Sequence, residues 1–353
     1  MTDRADTVPI RMADELTGGP RMRFRLQAAW AAVAVRLRAP VWMTLPAVRA
    51  IGPLLEDRTL LPAMAALEPA GVHRTLDARY GPDPAELVDV FRPVDAHGPL
   101  PTVVWMHGGG WIGGTKNDLR SYLAVLASHG FTVAGVDYSW APEAHYPTQV
   151  IQASRAVAWL RSHSAEFGAD PELIILAGDS AGAHIAAQVA RAATDAGYAE
   201  RAGLRIADLE RSSIRGVVLT SGPFRLGQSN AEDPLGGFGD LLLRAYTGRR
   251  NYLRVPALRA ASLVDDMHVS FPPAFISAGT TDPMLADSRA LAGALVARGV
   301  PVVEAFFPAD HVPDLPHEFA VDLRRGEARD VLAHIVDFVR RNTVREPGAT
   351  IDE

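Results

Sequence analysis

The clearest pattern in the chain is a series of short apolar runs that alternate, from about residue 72 onward, with stretches of helical periodicity. Such runs, bounded by turn residues, are typical of β-strands. His73–Tyr80 and Leu87–Phe91 are predicted to form two strands joined by a turn at Gly81–Pro84. Further strands are predicted at Thr102–Met106, Thr132–Val136, Leu173–Ala177, Gly216–Thr220, Ala274–Ser277 and Val302–Phe307.

Apolar residues at helical spacing occupy the segments between these runs. Val150, Ala153, Val157 and Leu160, for example, follow one another at three- and four-residue intervals, which predicts a buried stripe on a helix. Short apolar strands alternating with helices imply a mainly parallel sheet that is covered by helices on both faces. The predicted helices are Pro147–His163, Ala181–Ala193, Ser288–Arg298 and Glu327–Arg341.

Two segments fall outside this alternation. Residues 1–71 are predicted to form helical pieces interrupted by prolines, and we expect them to be a helical cap on a main domain that spans 72–345. Residues 225–265 form a long insertion between two strands and contain a helical piece, Asp240–Tyr246. Insertions at this point lie above the carboxyl ends of the strands, where α/β sheets bind ligands. We therefore expect 225–265 to contribute to a pocket or to the cap.

Residues 21–55 allow three interpretations. Arginines at 21, 23 and 25 precede an uncharged stretch at 26–35, and no acidic residue occurs between Arg21 and Leu55. The uncharged stretch is too short to span a bilayer, which takes roughly 20 residues. A basic amphipathic helix can lie on an anionic membrane surface. We favour the interpretation that residues 21–55 are part of the cap. The alternatives are peripheral membrane contact and a late-starting export signal.

Composition excludes several classes of protein. The chain has 353 residues, a formal net charge of -6 and no long run of one sign, which disfavours nucleic-acid binding. It has no cysteine, so disulfides, thiolate metal sites and cysteine nucleophiles are all excluded. The first twenty residues are polar and acidic, unlike a signal peptide. We expect a cytoplasmic protein, with membrane association and a homodimer left open.

The strongest chemical motif is Gly178–Gly182, which reads Gly-Asp-Ser-Ala-Gly. It follows a predicted buried strand and precedes a predicted helix, the setting that G-x-S-x-G requires. In this setting the serine occupies a strained turn that raises its hydroxyl above the sheet edge, and the helix N-terminus favours a developing negative charge. Ser180 is therefore the predicted nucleophile. A tight turn without chemistry is the alternative.

Three consecutive glycines follow the strand that ends at Met106, in the order His107-Gly108-Gly109-Gly110. Such a run has a high backbone entropy cost and is most simply explained if bare backbone must approach a ligand. In acyl transfer, N–H groups of this loop and of the residue after the nucleophile bind the tetrahedral oxygen. We assign the oxyanion hole to Gly108, Gly109 and Ala181, and expect His107 to hold the loop.

The acid of a Ser-Asp-His triad should follow a late strand. Asp282 lies directly after the strand Ala274–Ser277, whereas its rival Asp287 lies about a turn into the next helix. Asp282 is the preferred acid, with the role of orienting the base.

Two histidines compete for the role of base. His311 and His317 share the loop after the last predicted strand, and His334 falls within the C-terminal helix. We prefer His317, which begins His-Glu-Phe directly before the final segment. Structural roles are expected for His145 and His184.

Taken together, these motifs resemble those of the hormone-sensitive-lipase-like family of bacterial α/β-hydrolases. The resemblance covers about residues 72–342 and rests on 107–110, on Asp137-Tyr138 with Ala141-Pro142-Glu143, on Pro147, on 178–182 and on Asp282-Pro283. It implies an eight-stranded sheet, a helical cap from the N-terminal region and no cofactor or metal. The departure from the family is at the base, where His-Glu-Phe replaces the usual His-Gly-Phe and the loop before it is longer, while His311 keeps the shorter spacing.

The resemblance also implies the hydrolysis of short- to medium-chain acyl esters. We therefore predict a serine carboxylesterase that acts on small-molecule acyl esters through a covalent acyl-enzyme. Lactonase, amidase or acyltransferase chemistry on the same triad is the alternative within enzymes. A non-catalytic ligand-binding protein on the same fold is a third hypothesis, which the complete set of triad residues disfavours.

Overall fold

The computed structural model describes residues 59–207, 209–226 and 237–344, together with positions 41, 44–46, 48 and 49. Two compact units are distinguished along the chain. One comprises Asp57–Gln228 and Leu242–Glu353, and the other comprises Met1–Glu56 and Ser229–Leu241. The predicted cap at 1–71 and the segment at 21–55 lie mostly outside the described residues, and so does part of the insertion at 225–265. The described positions between 41 and 49 are helical.

The described part of the larger unit forms one eight-stranded sheet with the order β1-β2-β4-β3-β5-β6-β7-β8. Strands β1–β2 and β2–β4 pair antiparallel, and every other neighbouring pair is parallel. The prediction of a mostly parallel sheet is thereby confirmed. The strands are β1 Val72–Arg79, β2 Leu87–Pro93, β3 Leu100–Met106, β4 Thr132–Val136, β5 Ala169–Asp179, β6 Ile214–Thr220, β7 Ala274–Ala278 and β8 Val302–Phe306.

Helices cover both faces of the sheet. The helices in the described part of the chain are α1 Leu60–Ala65, α2 Arg120–Ala127, α3 Thr148–Ser162, α4 Ser164–Phe167, α5 Ala181–Thr194, α6 Ala196–Arg201, α7 Gly237–Thr247, α8 Pro256–Ala260, α9 Leu285–Val296 and α10 Gly326–Asn342. Short 3-10 turns occur at Lys116–Leu119, Arg211–Ser213, Tyr252–Arg254, Val264–Asp266 and Phe319–Val321. None of the helices in the described part of the chain has both the length and the apolar character needed to cross a lipid bilayer.

The core on one face of the sheet is formed where α2 and α10 pack against the central strands. Leu123, Trp105, Phe275, Ile335 and Phe338 belong to this apolar cluster and are almost completely buried. On the strands β3 to β7 nearly every residue is buried, because helices cover both sides of a parallel sheet. This explains why these strands appear in the sequence as continuous apolar runs and not as alternating ones.

The main difference between predicted and observed bounds is at β5, which begins at Ala169 and not at Leu173. The extra residues include Asp170, Pro171 and Glu172. Because they are not apolar, the hydrophobic pattern does not indicate that they belong to the strand. They are held by a neighbouring strand, since the Thr102 hydroxyl donates to the carbonyl of Asp170 at 3.2 Å. The parallel strands β3, β5 and β6 end in register, with Gly178 between Met106 and Leu219, so the loops that follow them share one edge.

Candidate active site

Ser180 lies on the sharp turn between β5 and α5. Its backbone has φ 50° and ψ -119°, a conformation that L-residues rarely adopt. The turn can be this tight because the positions two residues before and two residues after Ser180 are glycine. A Cβ at Gly178 would overlap the backbone of Gly182, and a Cβ at Gly182 would overlap the carbonyl oxygens of Met106 and His107. The small residues of the motif therefore allow the strand and the helix to approach, and the strained turn presents the serine at the sheet edge.

A chain of hydrogen bonds connects Ser180, His317 and Asp282. The Oγ of Ser180 lies 3.0 Å from Nε2 of His317, and Nδ1 of the same ring lies 2.9 Å from Oδ1 of Asp282. Asp282 follows β7, and its Oδ1 also accepts the N–H of Met284 at 2.7 Å. The three predicted triad residues are thus in contact in the order that proton transfer from serine to histidine requires.

The pKa values in this chain shift in opposite directions. Burial alone would raise the pKa of Asp282, but the charge of His317 and hydrogen bonds from His317, Ser221 and Met284 hold it below its usual value. Burial would lower the pKa of His317, but the charges of Asp282, Glu318 and Asp179 raise it to about 9. Asp282 therefore remains ionised and stabilises the charged form of the imidazole, which is the form that follows proton uptake from serine.

His311, the rival candidate for the base, lies elsewhere. Its Nε2 is 3.1 Å from Oε1 of Glu327, at the start of α10, and its ring contacts Phe307 with centroids 4.8 Å apart. The rival acid also has another partner, because Asp287 pairs with Arg225 at 2.8 Å. The structure brings His317 and Asp282 to Ser180, whereas His311 is hydrogen-bonded to Glu327 and Asp287 is paired with Arg225.

The loop after β3 corrects one of the predicted oxyanion donors. The N–H of Gly108 donates to Oδ2 of Asp179 at 2.9 Å, so it is not free to bind an oxyanion, and its assignment to the oxyanion hole is wrong in this structure. Among the described residues, the N–H groups of Gly109, Gly110 and Ala181 donate no hydrogen bond. Gly109 has φ +104° and Gly110 has φ +60°. These conformations disfavour residues with a Cβ, which explains why both positions are glycine.

His107 holds this loop from within the core. Its Nδ1–H donates to the carbonyl of Gly108 at 2.7 Å, and its ring stacks on Tyr138 with centroids 4.3 Å apart. The hydroxyl of Tyr138 donates to the carbonyl of His107 at 2.7 Å. Trp111, at the end of the same run, is buried and stacks on Tyr246 with centroids 4.5 Å apart. Aromatic stacking and hydrogen bonds therefore fix both ends of the glycine run.

A buried lysine supports the chain just after this loop. Lys116, the only lysine in the sequence, lies 2.6 Å from Asp77, 3.1 Å from Asp89 and 3.6 Å from Asp137. Burial opposes its charge, but the three carboxylates raise its pKa above the usual value. Its backbone N–H also donates to Asp137 at 2.6 Å. This ion cluster therefore holds the segment after the glycine loop against β1, β2 and the end of β4.

Three further residues contact the triad and were not predicted as site residues. Asp179 lies within the serine motif itself, Glu318 follows His317, and Ser221 follows β6. The N–H of Glu318 lies 3.3 Å from Oγ of Ser221, whose hydroxyl also helps to lower the pKa of Asp282. The sequence carried a signal only for Glu318, at the departure from His-Gly-Phe, because the contacts of the other two arise from the packing of separate loops.

The remaining histidines near the motifs have structural surroundings, as expected for His184. Its Nε2–H donates to the carbonyl of Ala261 at 2.9 Å, and its ring meets that of Trp111 edge-on at 5.4 Å. Burial lowers its pKa to about 4, so it stays neutral. No cluster of three or more His, Asp and Glu side chains among the described residues is arranged to hold a metal ion.

Comparison with known proteins places this geometry in a family. The profile of a family described as "alpha/beta hydrolase fold" matches residues 103–320. Esterase LipQ of Mycobacterium tuberculosis is 32% identical over 322 residues, which are 84% of this chain and 74% of LipQ. Acetyl esterase of Salmonella paratyphi A is 29% identical over 214 residues, 59% of this chain, and the match spans only 63% of that enzyme.

Solved structures agree on the fold. Esterase B from Lactobacillus rhamnosis superposes with a TM-score of 0.71 at 24% identity, covering 86% of this chain and 95% of that one. The profile match spans more than half of the chain and includes the glycine loop, the serine motif, Asp282 and His317. The order of the strands and the strand-to-helix turn at Ser180 agree with this fold. The chain therefore belongs to the α/β-hydrolase family, in its hormone-sensitive-lipase-like branch, and is a hydrolase.

Proposed function

We propose that the protein is a serine carboxylesterase that hydrolyses short- to medium-chain acyl esters. The observation that carries the proposal is the chain of hydrogen bonds from Ser180 through His317 to Asp282. Ser180 itself lies on a strained strand-to-helix turn. The names of the relatives support the reaction class, since LipQ is an esterase and the Salmonella relative is an acetyl esterase. An acetyl group is at the short end of the proposed range.

In the first half of the proposed reaction, His317 takes the proton of the Ser180 hydroxyl through Nε2. The oxygen of Ser180 attacks the ester carbonyl and forms a tetrahedral intermediate. The unpaired N–H groups of Gly109, Gly110 and Ala181 are the proposed oxyanion donors, and Gly110 replaces Gly108 in this role. Protonated His317 then gives its proton to the departing alcohol, and an acyl-enzyme remains.

In the second half, His317 accepts a proton from water as that water attacks the acyl carbonyl. The second tetrahedral intermediate collapses, His317 returns the proton to Ser180, and the carboxylic acid leaves. Asp282 stays ionised throughout, because the charge and hydrogen bonds of His317 lower its pKa against the effect of burial. It keeps the imidazole oriented with Nε2 toward the serine.

A fluorophosphonate probe, which labels activated serines, tests this proposal together with a panel of 4-nitrophenyl esters of graded acyl length. Wild type should be labelled and should hydrolyse acetate to octanoate esters faster than longer ones. Ser180→Ala should stay folded, resist labelling and lose about 10⁴- to 10⁶-fold in kcat. Ser121→Ala on α2, which removes a hydroxyl that donates to Glu68 at 2.7 Å, is the matched control and should behave as wild type. Labelling of Ser180→Ala at the wild-type rate would reject Ser180 as the nucleophile.

A further inference from the structure

Two carboxyl groups, those of Asp179 and Glu318, lie side by side next to the triad. A Cβ built on Gly108 would overlap both Oδ2 of Asp179 and Oε1 of Glu318, so the two oxygens occupy adjacent positions over one glycine. Asp179 precedes the nucleophile and Glu318 follows the base. The pair therefore joins three segments that the proposed reaction uses: the serine turn, the histidine loop and the glycine loop.

Asp179 is held firmly in this position. Its side chain is buried, Oδ1 accepts the indole N–H of Trp105 at 2.7 Å, and Oδ2 accepts the N–H of Gly108 at 2.9 Å. Burial first, and then the charge of Glu318 and a hydrogen bond with it, raise the pKa of Asp179 to about 8. At neutral pH Asp179 therefore keeps its proton, because a buried carboxylate beside a second carboxyl group is unfavourable.

Glu318 adopts an unfavourable backbone conformation to reach this position. Its φ of 58° and ψ of 23° lie in the left-handed region, where a residue with a Cβ is disfavoured. Its carboxyl Oε1 lies 3.7 Å from Nε2 of His317, the atom that faces Ser180. A strained residue whose side chain contacts the reacting groups motivates a search for its role.

We propose that Glu318 is a positioning residue of the esterase site: its carboxyl group lies beside that of Asp179 over Gly108 and 3.7 Å from Nε2 of His317, and it thereby joins the base to the glycine loop. The charge of Glu318 beside the imidazole also contributes to the raised pKa of His317. The inference rests on the proposed function. Asp179 in turn orients Gly108, so the link extends from the imidazole to the first residue of the proposed oxyanion loop.

Other ionisable groups also face the pair from the elements packed against it. His107 lowers the pKa of Asp179 through its charge. Burial raises the pKa values of Tyr122 and Tyr138, so both tyrosines stay neutral. The base side contributes Asp282, which stays ionised. These groups are the same in wild type and in every Glu318 variant. A difference in pH profile between the enzymes therefore reports on Glu318.

Three substitutions separate the hydrogen bond from the charge. Glu318→Gln keeps a side-chain amide that can hydrogen-bond to Asp179 but removes the carboxylate beside His317. It should retain kcat at its optimum within a few-fold and move the acidic limb of the kcat/KM profile to lower pH by on the order of one unit. Glu318→Ala and Glu318→Gly remove the link and should lose about 10- to 100-fold in kcat, with a smaller change in KM. The control Glu304→Gln, on the exposed face of β8, should match wild type.

The glycine variant excludes a purely conformational role. Glycine relieves the left-handed backbone, so a Glu318→Gly enzyme with wild-type kcat and pH profile would overturn the proposal. An unshifted acidic limb in Glu318→Gln would overturn it as well. If wild type neither labels with fluorophosphonate nor hydrolyses esters, the proposed function has failed. NMR titration of the His317 ring in wild type and Glu318→Gln then still tests Glu318, with a lower pKa expected in the variant.

Discussion

Replacing each of the two loop histidines by alanine gives the sharpest test of the proposed triad. His317→Ala removes the group that lies 3.0 Å from Ser180 and 2.9 Å from Asp282. Without a base the serine hydroxyl cannot lose its proton during attack, and kcat should fall by about 10⁴- to 10⁶-fold. That loss corresponds to about 5.5–8 kcal/mol of transition-state stabilisation, because every 1.36 kcal/mol is tenfold in rate.

The matched variant His311→Ala removes a hydrogen bond with Glu327 at 3.1 Å and a ring contact with Phe307, and no contact with the triad. Both partners of the pair are partly exposed, so the free energy of unfolding should decrease by about 0–1 kcal/mol, and turnover should stay near the wild-type rate. Initial rates on 4-nitrophenyl butyrate, with circular dichroism to verify folding, measure both effects. An inactive His311→Ala and an active His317→Ala would refute the assignment and leave only the Ser180–Asp282 part of it.

Three further predictions follow from the same geometry. Because His317 must be neutral to accept a proton and its pKa is raised to about 9, kcat/KM should increase with pH up to that value, and a half-maximum below pH 7 in the pH–rate profile would contradict this. Gly182→Ala should destabilise the fold by about 1–3 kcal/mol and abolish turnover, because its Cβ would overlap two backbone carbonyls. The control Gly293→Ala, on an open helix surface, should stabilise the protein by about 0.5–1 kcal/mol, and urea unfolding measures both changes. Lys116→Met should lower the free energy of unfolding by about 3 kcal/mol, because within the described part of the chain it leaves the buried Asp89 with Arg120 as its one cationic partner, and an unchanged denaturation midpoint would refute that.

The sheet and the strand-to-helix turn at Ser180 could be predicted from the sequence because they depend on local interactions. Strands buried on both faces must be continuous apolar runs, and the predicted run Thr132–Val136 coincides with β4. The turn at Ser180 needs small residues two positions away on each side, and this requirement is visible in five consecutive letters. The location of Asp282 was predictable for a similar reason, as it lies in the loop that follows β7 at the carboxyl edge of the sheet.

The contacts of the site were decided by tertiary structure. His317 and Ser180 are separated by 137 positions along the chain, and two histidines in one loop carried conflicting sequence cues. Only the path of that loop brings one ring to Ser180 and the other to Glu327. The N–H of Gly108 is likewise directed by Asp179, on a neighbouring strand, and the pair of Asp179 with Glu318 forms where two loops converge. Local sequence determines which backbone conformations are accessible, whereas the partner of a given N–H or imidazole depends on which distant segments the folded core brings to the same edge of the sheet.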